Sequence, residues 1–78
     1  MSIKDLTVPE LDLYRRLCNF TTDEMEYFNL KADEISNERV AYEMRVATST
    51  VSNISKRVRN KIERVRYFID NDLLSDIN

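Results

Sequence analysis

Apolar residues recur along this chain at three- and four-residue intervals, the spacing that gathers side chains on one face of a helix. Leu11, Tyr14 and Cys18, with Leu17 beside them, predict a first helix from about Val8 to Cys18. Thr7 and Glu10 have the spacing of a capping box. Pro9 falls in the first turn, where its missing N–H costs nothing. Residues 1–7 read as an N-terminal arm. Asn19 and Phe20 interrupt the pattern, and Thr21 with Glu24 makes a second capping box. Asp23 and Glu24 also suit the positive end of a helix dipole, and Phe20 is placed to staple the entry. The second helix is expected over Thr22–Ala32, burying Phe28 with some of Met25, Tyr27 and Leu30. Ser36 caps a short third helix, about Asn37 to Met44, whose inward edge is Val40, Ala41 and Met44. After Arg45-Val46-Ala47 a fourth helix begins, with Thr48 as the nearest cap.

The fourth helix is long, about Thr48 to Phe68. At ~100° per residue, Val51, Ser55, Val58, Ile62, Val65 and Ile69 share one stripe, with Ile54 at its edge. The opposite face carries Ser49, Asn53, Lys56 and Asn60, flanked by Ser52 and Arg57. The lower stripe (Ile62, Val65, Ile69) needs a cover: the first helix, or the same helix of a second chain. Residues 70–78 form an acidic tail. No segment alternates like a strand. The expected fold is all-α: one domain over 1–78 with four to five helices. It contains a tri-helical helix-turn-helix at 36–61 with a long C-terminal recognition helix.

Composition narrows the chemistry. The 78 residues include no glycine, no histidine, no tryptophan, one proline and one cysteine. Phosphate-cradling loops of the P-loop and dinucleotide type need glycine. Histidine-based catalysis is excluded, and so are the usual zinc and iron–sulfur ligand sets. No catalytic group stands out, and neither a metal, a cofactor nor a small-molecule substrate is expected. Cys18 reads as a small buried apolar residue. No stretch approaches the ~18 apolar residues of a membrane helix, and the start lacks a signal-peptide core. An intracellular, cytoplasmic protein is expected. Turns that require positive φ must use Asn, Asp or a strained residue.

The net charge of −2 conceals segregation. Residues 1–38 carry four cations against nine acids. Residues 39–66 carry eight cations against Glu43 and Glu63, and residues 67–78 carry only three acids. A basic block inside an acidic chain is the footprint of a nucleic-acid binder, or the solvated face of a helix. Arg59 with Glu63 and Arg39 with Glu43 have the i,i+4 spacing of surface ion pairs.

A short helix, a three-residue turn and a helix with a small-polar, then basic, outer face describe a helix-turn-helix. A helix entering a major groove about 12 Å wide needs small side chains first and cations where it passes the phosphates. Thr48, Ser49, Ser52 and Asn53, followed by Lys56, Arg57, Arg59 and Lys61, keep that order.

Residues 20–62 also resemble the LuxR/GerE-type helix-turn-helix, a relative of sigma-factor region 4. The family pattern, approximately LTxREREVLxLxAxGxSNKEIAxxLxISxxTVKxHxxxIxxKL, lies on this chain without a gap. Phe20-Thr21 takes the Leu-Thr place and Glu24 the Glu place, and Phe28, Leu30 and Ala32 match the helix core. Ser36-Asn37-Glu38-Arg39-Val40-Ala41 lies on Ser-Asn-Lys-Glu-Ile-Ala. Thr50-Val51 matches Thr-Val, and Lys61-Ile62 the closing pair. Glu34 and Arg45 stand where the family has glycine, Ala47 where it has a capping serine, and Ser52 where it has lysine.

The resemblance implies a stand-alone transcription regulator that docks its fourth helix in duplex DNA. It implies base contacts from Thr48, Ser49, Ser52 and Asn53, and phosphate contacts from Ser36 and Asn37. Arg45, Lys56, Arg57, Arg59 and Lys61 are the further candidates for phosphate. It also implies a homodimer, with Ile62, Val65 and Ile69 as the seam. The alternative is a protein-interaction module on the same scaffold, binding RNA polymerase or acting as a phage packaging or inhibitor protein.

Overall fold

In the computed structural model, which describes residues 2–71, a 3-10 turn at Ile3–Asp5 precedes four helices. These are α1 (Val8–Leu17), α2 (Thr22–Ala32), α3 (Asn37–Met44) and α4 (Thr48–Asp70). The fold is all-α, and there is no strand among the described residues. Helices α2, α3 and α4 pack against one another, α1 packs on α4, and the 3-10 turn packs on α2.

Each helix starts and stops for local reasons. The Thr7–Glu10 capping box closes, with Glu10 accepting from the Thr7 N–H at 2.9 Å. At the head of α2, Glu24 Oε1 accepts from the Thr21 N–H at 3.0 Å. Ser36 accepts from the Arg39 N–H at 3.2 Å to start α3. The expected bounds of α2 and α3 agree with those observed. Helix α1 ends at Leu17 with Cys18 as its cap, and α4 continues two residues beyond Phe68.

The missing glycines leave a visible trace. Asn19, Glu34 and Arg45 have φ of 52°, 63° and 60°. After α2, Ile35 N–H donates to Leu30 O and Glu34 N–H to Lys31 O. After α3, Val46 N–H donates to Ala41 O and Arg45 N–H to Tyr42 O. Both are Schellman closures, whose left-handed residue is ordinarily glycine. Here Glu34 and Arg45 occupy those places and retain a Cβ, at a cost of roughly 1 kcal/mol each. Ile35 and Val46, the next residues, fold back onto the core.

The core is a single cluster built along α4. Val51, Ile54, Val58, Ile62 and Val65 are buried from one end of the helix to the other. Against them pack Tyr14 and Cys18 of α1, Tyr27 and Phe28 of α2, and Val40 and Ala41 of α3. Phe28 and Val40 are wholly enclosed, and burying a side chain of that size contributes about 1.5–3 kcal/mol. Ser55 interrupts the stripe for a reason: it accepts a hydrogen bond from the Tyr27 hydroxyl at 3.0 Å.

Two expectations need correction. Residues 2–7 are not a free arm, because Ile3 and Leu6 pack against the core. A three-residue 3-10 turn is too short to show a period. Ile62 and Val65 do not form an outer seam: they are 2% and 8% exposed within one chain, and Ile69 packs on the same core. Their cover comes from within the chain, as part of the core cluster that α1, α2 and α3 share with α4. Of the expected acidic tail, Asp70 closes α4 and Asn71 follows it as its C-cap. Residues 72–78 lie outside the described residues.

Candidate nucleic-acid interface

The outer face of α4 begins at a bare helix end. Its N-cap is Ala47, which makes no side-chain capping bond, and Thr48 lies inside the helix rather than capping it. Val51 is the first residue whose N–H is taken up, at 3.2 Å to Ala47 O. The N–H groups of Thr48, Ser49 and Thr50 therefore point out of the helix end, where the dipole also favours an anion. Thr48, Ser49, Ser52 and Asn53 are all exposed along the first two turns.

The cations divide into two groups. Arg45, Lys56 and Arg59 are exposed and make no ion pair among the described residues. The Arg59–Glu63 pair allowed by spacing is not formed, whereas Arg39 and Glu43 pair at 2.8 Å. Arg64 is a further exposed cation that sequence reasoning passed over. Its signal was present, since it stands eleven residues after Asn53, which is close to three full turns.

Arg57 and Lys61 belong to the second group. Arg57 Nη2 donates to Asp23 Oδ2 at 2.9 Å, and its Nε donates to Glu24 Oε2 at 3.0 Å. Lys61 Nζ donates to Glu24 Oε1 and to the Asn19 carbonyl. Glu24 is 2% exposed and is the buried hub of this network. Burial pushes its carboxyl up, but hydrogen bonds from Lys61, the Thr21 amide and Arg57 outweigh this and hold it at about 2. Two carboxylates thus face two cations, and the cluster is neutral as a whole.

The remaining candidates lie on the neighbouring side. Ser36 is exposed, but its hydroxyl is engaged by the Arg39 amide. Asn37 of α3 lines an open groove together with Ser55 and Arg59 of α4, over a floor that includes Tyr27 and Ile62. The structure thus brings Asn37 and Arg59 to one surface, and turns Arg57 and Lys61 toward α2 instead.

Comparison with known proteins finds no match: no protein-family model, no curated protein and no solved structure matches the chain.

Other exposed groups fit none of these roles. Tyr42 on α3 is 74% exposed, with the Arg39 guanidinium 5.5 Å from its ring centre. Tyr67 and Phe68 meet edge to face near the end of α4. No helix among the described residues is long and apolar enough to cross a membrane.

Proposed function

We propose that the protein is a sequence-specific, duplex DNA-binding transcription regulator that inserts α4, from Thr48 onward, into the major groove. The observation that carries this reading is the outer face of α4. A run of small polar side chains at an uncapped helix end is followed by the unpaired cations Lys56 and Arg59, with Arg45 in the turn before it. Thr48, Ser49, Ser52 and Asn53 would face base edges. Arg45, Lys56 and Arg59, with Ser36 and Asn37, would face phosphates. A homodimer belongs to the same reading. Its contact would use Tyr67 and Phe68, exposed near the C-terminal end of α4, since Ile62 and Val65 are already covered. The place of action is then the cytoplasm, on the nucleoid.

Anisotropy with a duplex from the protein's own upstream region tests this. Asn53→Ala should cost roughly 1–3 kcal/mol of discrimination, and Lys56→Ala should weaken all duplexes alike. Binding by both variants equal to wild type would overturn the assignment of α4.

The second reading, a protein-interaction module such as an RNA polymerase-binding or phage packaging or inhibitor protein, is favoured by exposed Tyr42, Tyr67 and Phe68. Aromatic residues are enriched where proteins meet. That reading requires no duplex binding even at low salt.

A further inference from the structure

We infer that Asp23 is an intramolecular competitor for DNA phosphate at Arg57, and so sets how strongly the protein binds duplex of any sequence. The inference rests on the DNA-binding reading above.

The geometry is that of a phosphate contact made internally. A guanidinium recognises a pair of anionic oxygens through two parallel N–H bonds. Arg57 presents its Nε and Nη2 to Glu24 Oε2 and Asp23 Oδ2, at 3.0 and 2.9 Å. The two acceptors come from adjacent residues of α2, and together they occupy the edge that a phosphate would otherwise take. They differ in what else they do. Glu24 is buried, also holds Lys61 and closes the α2 capping box. Asp23 is 47% exposed, and its other oxygen accepts from the Thr21 hydroxyl and the Glu24 amide. Oδ2 of Asp23 therefore faces Arg57 at the protein surface, where Arg57 is itself half exposed.

The consequence is electrostatic. Non-specific affinity follows the number of phosphates neutralised, with a salt slope of about −0.9 for each. A cation already neutralised by a neighbouring carboxylate adds little to that count. Asp23, Glu24, Arg57 and Lys61 sum to zero, so the footprint on DNA reduces to Arg45, Lys56 and Arg59, a slope of about −2.7. Removing the charge of Asp23 leaves the cluster with one net positive charge, centred on Arg57 beside the proposed interface. Base-reading residues at Ser49 and Asn53 are unaffected, so the added affinity carries no sequence information.

Anisotropy with a mixed-sequence duplex from 50 to 200 mM KCl tests this, using wild type, Asp23→Asn and Asp12→Asn. The amide introduced by Asp23→Asn keeps an oxygen for the Thr21 and Glu24 contacts, and circular dichroism checks that the helices are retained. Asp12→Asn makes the same change in net charge at α1, where Asp12 pairs with Arg15. We expect Asp23→Asn alone to steepen the log–log slope by about 0.9 and to raise affinity at 100 mM on the order of fivefold. Binding by Asp23→Asn where wild type shows none also supports the inference. Equal slopes for Asp23→Asn and Asp12→Asn, with wild type binding, would overturn it and leave the DNA-binding reading standing. No binding by any of the three at 50 mM would overturn both.

Discussion

The Tyr27 hydroxyl donates to Ser55 Oγ at 3.0 Å, joining α2 to α4 across the core. It is a second polar link between these helices, set apart from the Asp23–Glu24–Arg57–Lys61 network, and Tyr27 is 4% exposed. Ser55→Ala should destabilise the protein by about 0.5–1.5 kcal/mol, because a largely buried hydroxyl loses its acceptor. Tyr27→Phe removes the donor, and the double variant should cost less than the two single changes summed. Urea melts of the four proteins give the coupling, and a coupling of zero would contradict the bond.

Acid should weaken the fold through Glu24. Its carboxyl sits at about 2 in the folded chain, against an ordinary 4.5. The unfolded chain therefore binds the proton more tightly. The stabilisation, about 2–3 kcal/mol, is fully present above pH ~4.5 and is lost as pH falls toward ~2. Thermal melts of wild type should fall steeply across that range. Glu24→Gln should be less stable at pH 7 and should show a shallower acid dependence. Parallel curves for the two proteins would show that the network contributes nothing.

The left-handed helix ends should accept glycine. Glu34→Gly should raise stability by up to about 1 kcal/mol, relief of Cβ strain being partly offset by greater freedom of the unfolded chain. Arg45→Gly should be as stable as wild type or more so, yet bind duplex more weakly, since it removes a cation from the proposed interface. Thermal melts read the first effect and anisotropy the second. A large loss of stability in either variant would contradict the φ values of these residues.

Ala47→Ser should strengthen the start of α4. The N-cap has extended backbone and no side-chain bond, and a serine there contributes about 0.5–2 kcal/mol. Ala47→Asp should stabilise similarly but weaken duplex binding, because its carboxylate occupies the N–H groups left for phosphate. Melting temperature and anisotropy should then move in opposite senses.

Val65→Asp should unfold the protein rather than merely separate subunits. A carboxylate forced into the core cluster at a site only 8% exposed is stripped of water, and the loss should exceed about 3 kcal/mol. Tyr67→Ser should leave the fold intact. Sedimentation and far-UV circular dichroism separate the two effects, and a folded Val65→Asp protein would return that residue to an outer seam.

Local signals were legible in the sequence and distant pairings were not. Ser36, Thr21 and Thr7 announced three helix starts because caps act within one turn. The stripe from Val51 to Val65 announced the core face of α4. Glu34 and Arg45 stand where the family pattern has glycine, which pointed to these two helix ends but left open whether they close at positive φ, as they do. The docking of Ile3 and Leu6 was not legible, since a 3-10 turn has no period. Glu24 read as a capping residue, which it is, but nothing near it in sequence indicated burial. Its partners lie 33 and 37 residues away. The same distance hid the fact that Arg57 and Lys61 are shared with α2, so a basic block of eight cations offers fewer to a ligand than its count suggests.

Helix α4 runs about 34 Å at 1.5 Å per residue, most of a molecule 41 Å long. Helices α1, α2 and α3 all lean on it. Breaking any part of the stripe from Val51 to Val65 therefore removes the support of a second helix. Amide hydrogens along that stretch should exchange with solvent only when the whole molecule opens, with one common opening free energy. The face of α4 proposed to enter a groove would then be carried on the stretch that opens last.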